Sequence, residues 1–175
     1  MGERALFARE RDDGRFEVAV SQWGGSDRAL AAVFAGRTPD VIPGISWETR
    51  GPTRFAVLVE RVDYLVTAAL YRVRGVDTTV FLPVWFGLPL RDASTEPGVG
   101  ALVAVDSLSE LRQLRTYVRD LKGTLTDAVR AGYVPASVAP AVFRRVVAAL
   151  EGRERYVATG HRTGRLYSKG RPEGP

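Results

Sequence analysis

Residues 107–132 read SLSELRQLRTYVRDLKGTLTDAVRAG. Ser107-Leu108-Ser109-Glu110 has the form of a capping box, in which a serine oxygen and a glutamate three residues on satisfy backbone donors that the first helical turn leaves free. Leu108, Leu111, Leu114, Val118, Leu121, Leu125 and Val129 then recur at intervals of three and four. This spacing makes one side of a long helix apolar, and Gly132 supplies the residue that ends it. Such a stripe has to be buried against another layer, so the rest of the chain is expected to supply that layer.

Outward from this helix, Pro135 and Pro140 suit the turn and first positions of a second helix. Its apolar side is Val142, Phe143, Val146, Val147 and Leu150, and Gly152 stops it. Towards the N-terminus the period changes from helical to alternating. RALFARE (4–10) and RFEVAVSQ (15–22) predict two strands around the turn Asp12-Asp13-Gly14. Ala69 to Arg74 and Thr78 to Leu88 predict a second hairpin around Gly75, with Pro83 requiring a bulge or a free sheet edge. Gly100 to Val105 predicts a further strand. Ser26 or Asp27 is placed to cap a short helix over Arg28 to Phe34, and Phe55 to Val66 has charges at helical spacing. Arg37 to Pro52 and Leu90 to Gly98 are expected to be loops. The expected fold is α+β: a mostly antiparallel sheet of about five strands packed by two C-terminal helices. The expected domain spans residues 1–152, followed by a basic tail over 153–175.

Composition narrows the chemistry. With 175 residues, 45% of them apolar, the chain can build one core without metal or disulfide staples. Cysteine is absent and His161 is the single histidine, which removes thiolate zinc sites, cysteine nucleophiles and any two-histidine metal centre. No catalytic residue, metal or cofactor is expected. The opening MGERALFARERDDGRFE is too charged for a signal peptide, and the charge-free runs fall short of the ~20 residues that span a bilayer, so a cytoplasmic protein without a membrane partner is expected.

The net charge is +5, and it is uneven. Through residue 150 there are 19 basic and 17 acidic residues; the last 25 residues hold six basic and three acidic. Arg112, Arg115, Arg119 and Lys122 line one side of the long helix, and Arg144 and Arg145 follow on the next. Beyond them comes Arg153, and then RYVATGHRTGRLYSKGR from Arg155 to Arg171, which has no acid. Its Arg155, Tyr156, His161, Arg162, Arg165, Tyr167, Lys169 and Arg171 mix cations with rings, the composition of an arm that pairs with phosphates and stacks on bases. The tryptophans of Trp23-Gly24-Gly25, Trp47-Glu48 and Trp85-Phe86-Gly87 read chiefly as core or edge residues.

Several short motifs occur in order: Met1-Gly2 and Arg4-Ala5-Leu6, then Ser21-Gln22-Trp23-Gly24-Gly25, Val62-Asp63-Tyr64-Leu65 and Trp85-Phe86-Gly87-Leu88. Over residues 1–155 they resemble a haloarchaeal family of small proteins without assigned function. The resemblance implies no activity and no catalytic residue. It also implies an acidic protein without a basic tail, from which this chain of pI near 10.0 departs. In a salt-loaded cytoplasm a basic protein calls for a polyanionic partner, and at ~1 M salt the Debye length falls to about 3 Å, so direct bidentate arginine contacts must do the holding.

The expected function is therefore non-enzymatic RNA binding, by a ribosome-associated protein or ribosomal component with rRNA as partner and neighbouring ribosomal proteins beside it. The alternative is a small enzyme or ligand-binding domain with a pocket at the Trp47-Glu48-Arg50 loop, where Glu48 is the candidate general base.

Overall fold

In the computed structural model, residues 3–90, 99–150 and 154–159 are described. They form an α+β domain with seven strands in one mixed sheet and four α-helices among the described residues. The hairpin β1 (Arg4–Glu10) and β2 (Phe16–Ser21) leads to α1 (Asp27–Phe34), whose cap is Ser26, its side chain accepting from Ala29 N. A single 3-10 turn at Pro39–Val41 precedes β3 (Glu48–Thr53) and the short α2 (Phe55–Val59). Then come β4 (Thr67–Arg74), β5 (Asp77–Trp85) and β6 (Val99–Val105). The long helix α3 (Leu108–Arg130), α4 (Ala139–Ala148) and β7 (Arg155–Thr159) complete the chain.

The strand order is β3-β2-β1-β4-β5-β6-β7. Only β1 and β4, at the centre, run parallel; the five other pairings are antiparallel. Alternation sends Ala5, Phe7, Tyr71, Leu82 and Val103 to one face, where α1, α3 and α4 cover them with Leu30, Leu111, Leu114 and Phe143. The opposite residues, Leu6, Val18, Leu70, Phe81 and Leu102, meet Phe55, Leu58, Val62 and Tyr64. The capping box forms with a shift: Ser107 Oγ accepts from Glu110 N at 3.1 Å, while the Glu110 carboxylate accepts from Asp106 N, one residue before the cap.

Three sequence expectations change. The sheet has seven strands, because the proposed loop Arg37–Pro52 contains most of β3 and the proposed tail contains β7. β3 pairs only with β2, so Pro52 does not interrupt a second ladder, and an extra residue at Arg50, beside Gly51 with φ +87°, bulges it against Val18 and Ala19. The helix expected over Phe55–Val66 stops at Val59. There the chain turns so that Val62 and Tyr64 also reach the sheet, fixed by Tyr64 OH donating to Val59 O and by the Asp63 carboxylate accepting from Leu65 N. On α3, Leu111, Leu114 and Leu125 are buried, whereas Leu121 is only half-buried. No helix among the described residues is long and apolar enough to cross a membrane.

Candidate functional site

The β4–β5 ladder ends at the pair Leu70–Phe81, so β5 continues past it through Leu82, Pro83, Val84 and Trp85 with only β6 beside it. Pro83 sits in that stretch, where the lack of an N–H costs no bond to β4. At the same end β4 carries a bulge against β1. Thr67 pairs with Arg4 and Ala69 with Ala5, leaving Ala68 as the extra residue. Arg115 Nη2, from α3 above, donates to the Ala68 carbonyl at 3.0 Å. Gly25 makes this corner possible, because a Cβ there would stand 2.7 Å from Ala68 Cβ and 2.8 Å from Glu3 O.

Between α3 and these strand ends lies a cavity of about 760 Å³, within the range of small-molecule sites. Leu82, Pro83, Val84 and Trp85 form one wall; Arg115, Val118, Arg119 and Lys122 form the other. Trp85 folds back over Gly87, where a Cβ would lie 2.0 Å from its ring. Among the described residues three cations line the cavity, and Glu3 is the single carboxylate.

The cations differ in how they are held. Arg115 lies within 3.9 Å of Asp27 on α1 in addition to its bond to Ala68; burial lowers its pKa, opposed by Asp27 and Glu3. Arg119 projects at the rim, its side chain 75% exposed and 3.7 Å from Asp120. Lys122 Nζ sits 4.7 Å from the Trp85 ring centre and 5.1 Å from that of Phe143. No described carboxylate is within salt-bridge reach of it, and burial pulls its pKa from 10.5 to about 8.

The structure disperses the other expected site residues. Arg112, above the cavity row, is paired with Asp27 at 2.6 Å. Arg144 and Arg145 are exposed on α4. Arg155, exposed on β7, donates to the Val147 and Ala148 carbonyls at the end of α4, a favourable place for a cation. Tyr156 packs on Phe55 and Phe81 and belongs to a polar cluster. Arg153, His161, Arg162, Arg165, Tyr167, Lys169 and Arg171 lie outside the described residues.

At the Trp47-Glu48-Arg50 loop the tryptophan leans on the core and the two charged residues pair. Trp47 packs against Phe7 and Tyr71 and donates its Nε1–H to Pro39 O at 3.0 Å, while Glu48 and Arg50 pair with each other on β3. Gly24 permits that packing, since a Cβ would meet the Trp47 ring at 2.6 Å.

One polar cluster escaped the sequence reading. Arg72, on β4 and 6% exposed, donates to both oxygens of Glu154 at 2.8 Å, to Tyr156 OH at 2.9 Å and to Thr79 Oγ1 at 3.2 Å. It ties β7 to the centre of the sheet. Its hydrogen bonds hold the Glu154 carboxyl below the usual carboxylate range against the opposing effect of burial. No local pattern announces a contact spanning 82 residues.

No protein-family model, curated protein or solved structure matches this chain.

Proposed function

We propose that the chain is a non-enzymatic RNA-binding protein, ribosome-associated or a ribosomal component, that holds rRNA through exposed arginines of its helices and its basic C-terminal residues. The observation that carries this reading is the set of exposed cations on two helices packed together: Arg119 on α3, Arg144 and Arg145 on α4. The excess of basic residues in the last 25 extends the same charge. Arg112 belongs with them, because an ion pair as exposed as Arg112–Asp27 is worth little and can exchange its carboxylate for a phosphate. Arg155 and Tyr156 do not, being engaged in holding α4 and β7.

The test is co-sedimentation with ribosomes over a salt series. Because β7 is part of the sheet, the truncation has to remove residues 160–175 and keep Arg155–Thr159. That truncation combined with Arg144→Ala and Arg145→Ala is expected to release the protein while its circular dichroism stays unchanged. Replacing Arg119, Arg144 and Arg145 by lysine keeps the charge and is expected to weaken binding, since ammonium groups lack the planar fork. Failure of the full-length chain to associate with any RNA fraction removes the RNA reading.

A further inference from the structure

We propose that the cavity between α3 and the end of β5 is a binding site for a small organic anion, an acidic group carried on an apolar, planar body. This goes beyond RNA binding, since the site is a recess between α3 and the strand ends, open to solvent on one side. Four observations meet there.

First, its size and lining fit such a ligand. Most of the wall is apolar, from Leu82, Pro83, Val84 and Val118, and a few charged groups converge on it from one side. Second, positive charge prevails among the described lining residues: Arg115, Arg119 and Lys122 recur along α3 at intervals of four and three and line the space together, against the one carboxylate of Glu3. Third, Arg115 is held by Asp27 and Ala68, so it positions the wall and leaves Lys122 and Arg119 to meet the incoming acid.

Fourth, the placement of Lys122 is otherwise unfavourable. An ammonium surrounded by Trp85, Phe143 and the cavity wall loses hydration, and two ring faces return only part of it. Methionine would fill the same volume at no electrostatic cost. An anion in the cavity supplies a partner that the described residues do not, because a charge-assisted contact to an ammonium that two rings partly desolvate is stronger than one made fully in water. A planar body suits a cavity that the Trp85 ring lines beside Pro83 and Val84, since a flat ligand can stack on the indole.

The chain's lysine content makes the test selective, because Lys122 and Lys169 are its only two lysines. Reductive methylation of the full-length protein at about pH 8 by formaldehyde and cyanoborohydride, read by peptide mass spectrometry, follows both at once. The probe is 2-naphthoate, with 2-naphthamide as the neutral control of equal shape. Naphthoate is expected to slow modification of Lys122 at least about fivefold and leave Lys169 unchanged, with the amide having little effect.

Calorimetric affinity for naphthoate is expected to fall about tenfold in Lys122→Met and to survive in Lys122→Arg. Arg119→Ala, at an exposed position that does not endanger folding, is expected to weaken it by about threefold. Equal protection by the amide, or no protection at about 1 mM naphthoate, overturns the proposal. Protection by a short single-stranded RNA but not by naphthoate also overturns it and assigns Lys122 to the RNA surface.

Discussion

Arg72 and Lys122 are both cations drawn into this fold, on opposite faces of one sheet, and they are treated differently. Arg72 has a bidentate carboxylate, a phenol, a hydroxyl and three aromatic rings around it. Lys122 has two rings and an open cavity. A buried charge whose partners come from its own chain serves the architecture, and here it fastens the last strand. A charge to which no described carboxylate comes within salt-bridge reach, where an apolar residue would pack as well, costs stability, and such costs concentrate at binding sites.

The comparison breaks first at Arg72. Arg72→Ala is expected to destabilise by about 3–5 kcal/mol, because it leaves Glu154 and Tyr156 without their partner and opens a gap among Phe55, Phe81 and Tyr156. Urea denaturation followed by circular dichroism measures this, and a loss under about 1 kcal/mol would show that β7 is held by its ladder to β6 alone.

On the helical face, Leu114→Ala is expected to cost about 2–4 kcal/mol, as fully buried leucines do, and Leu121→Ala about half of that. The ranking follows from burial, with Leu114 enclosed and Leu121 half-buried against the same core. Equal losses would mean that the middle of α3 packs more tightly at Leu121 than its exposure indicates.

Lys122→Met is expected to change stability in the opposite direction, raising it by about 1–2 kcal/mol at pH 7, after allowing for the partial exposure of the ammonium. Its folded pKa of about 8 lies below the unfolded 10.5, so the unfolded chain binds more protons in that interval. The wild-type protein therefore gains stability as pH rises from about 8 to 10.5, and the advantage of methionine shrinks over the same range. A methionine variant less stable at pH 7 would show that the two ring contacts outweigh burial.

Glu154→Gln gives the smallest effect, a loss of about 1 kcal/mol near neutrality for a half-exposed carboxylate. The folded pKa is depressed, so the contribution of the carboxylate is present above its unfolded value and lost as pH falls through the folded one. The glutamine variant should accordingly lose less stability than wild type on acidification below about pH 4.3. Parallel acid profiles would assign the acid sensitivity to other groups.

How legible was this in the sequence? The strands β1 and β2 were, although alternation marks one buried face and these are buried on both, as the apolar runs Ala5–Ala8 and Val18–Val20 permit. Both strands that escaped are the sheet edges, β3 and β7. An edge needs a ladder on one side only, so ETRGPT tolerates glycine and proline, and RYVAT carries its strand character inside a run that reads as basic tail.

The cation row of α3 was legible from spacing, but its direction was not. Whether Arg115 and Lys122 face solvent or a cavity depends on Asp27, on the bulge at Ala68 and on where the β4–β5 ladder stops, all remote in sequence. The tryptophans divide in the same way. Trp47 is core, Trp85 lines the cavity and Trp23 is 60% exposed, a distinction set by partners that no neighbouring residue specifies.

The most direct test of Lys122 as a charge that no described carboxylate pairs is its own titration. Heteronuclear NMR of the side-chain resonances resolves both lysines of the chain and gives each a pKa in one experiment. Lys122 is expected to titrate at about 8, rising when 2-naphthoate is bound. A Lys122 that titrates near the ordinary lysine value of about 10.4, with or without the anion, would contradict it.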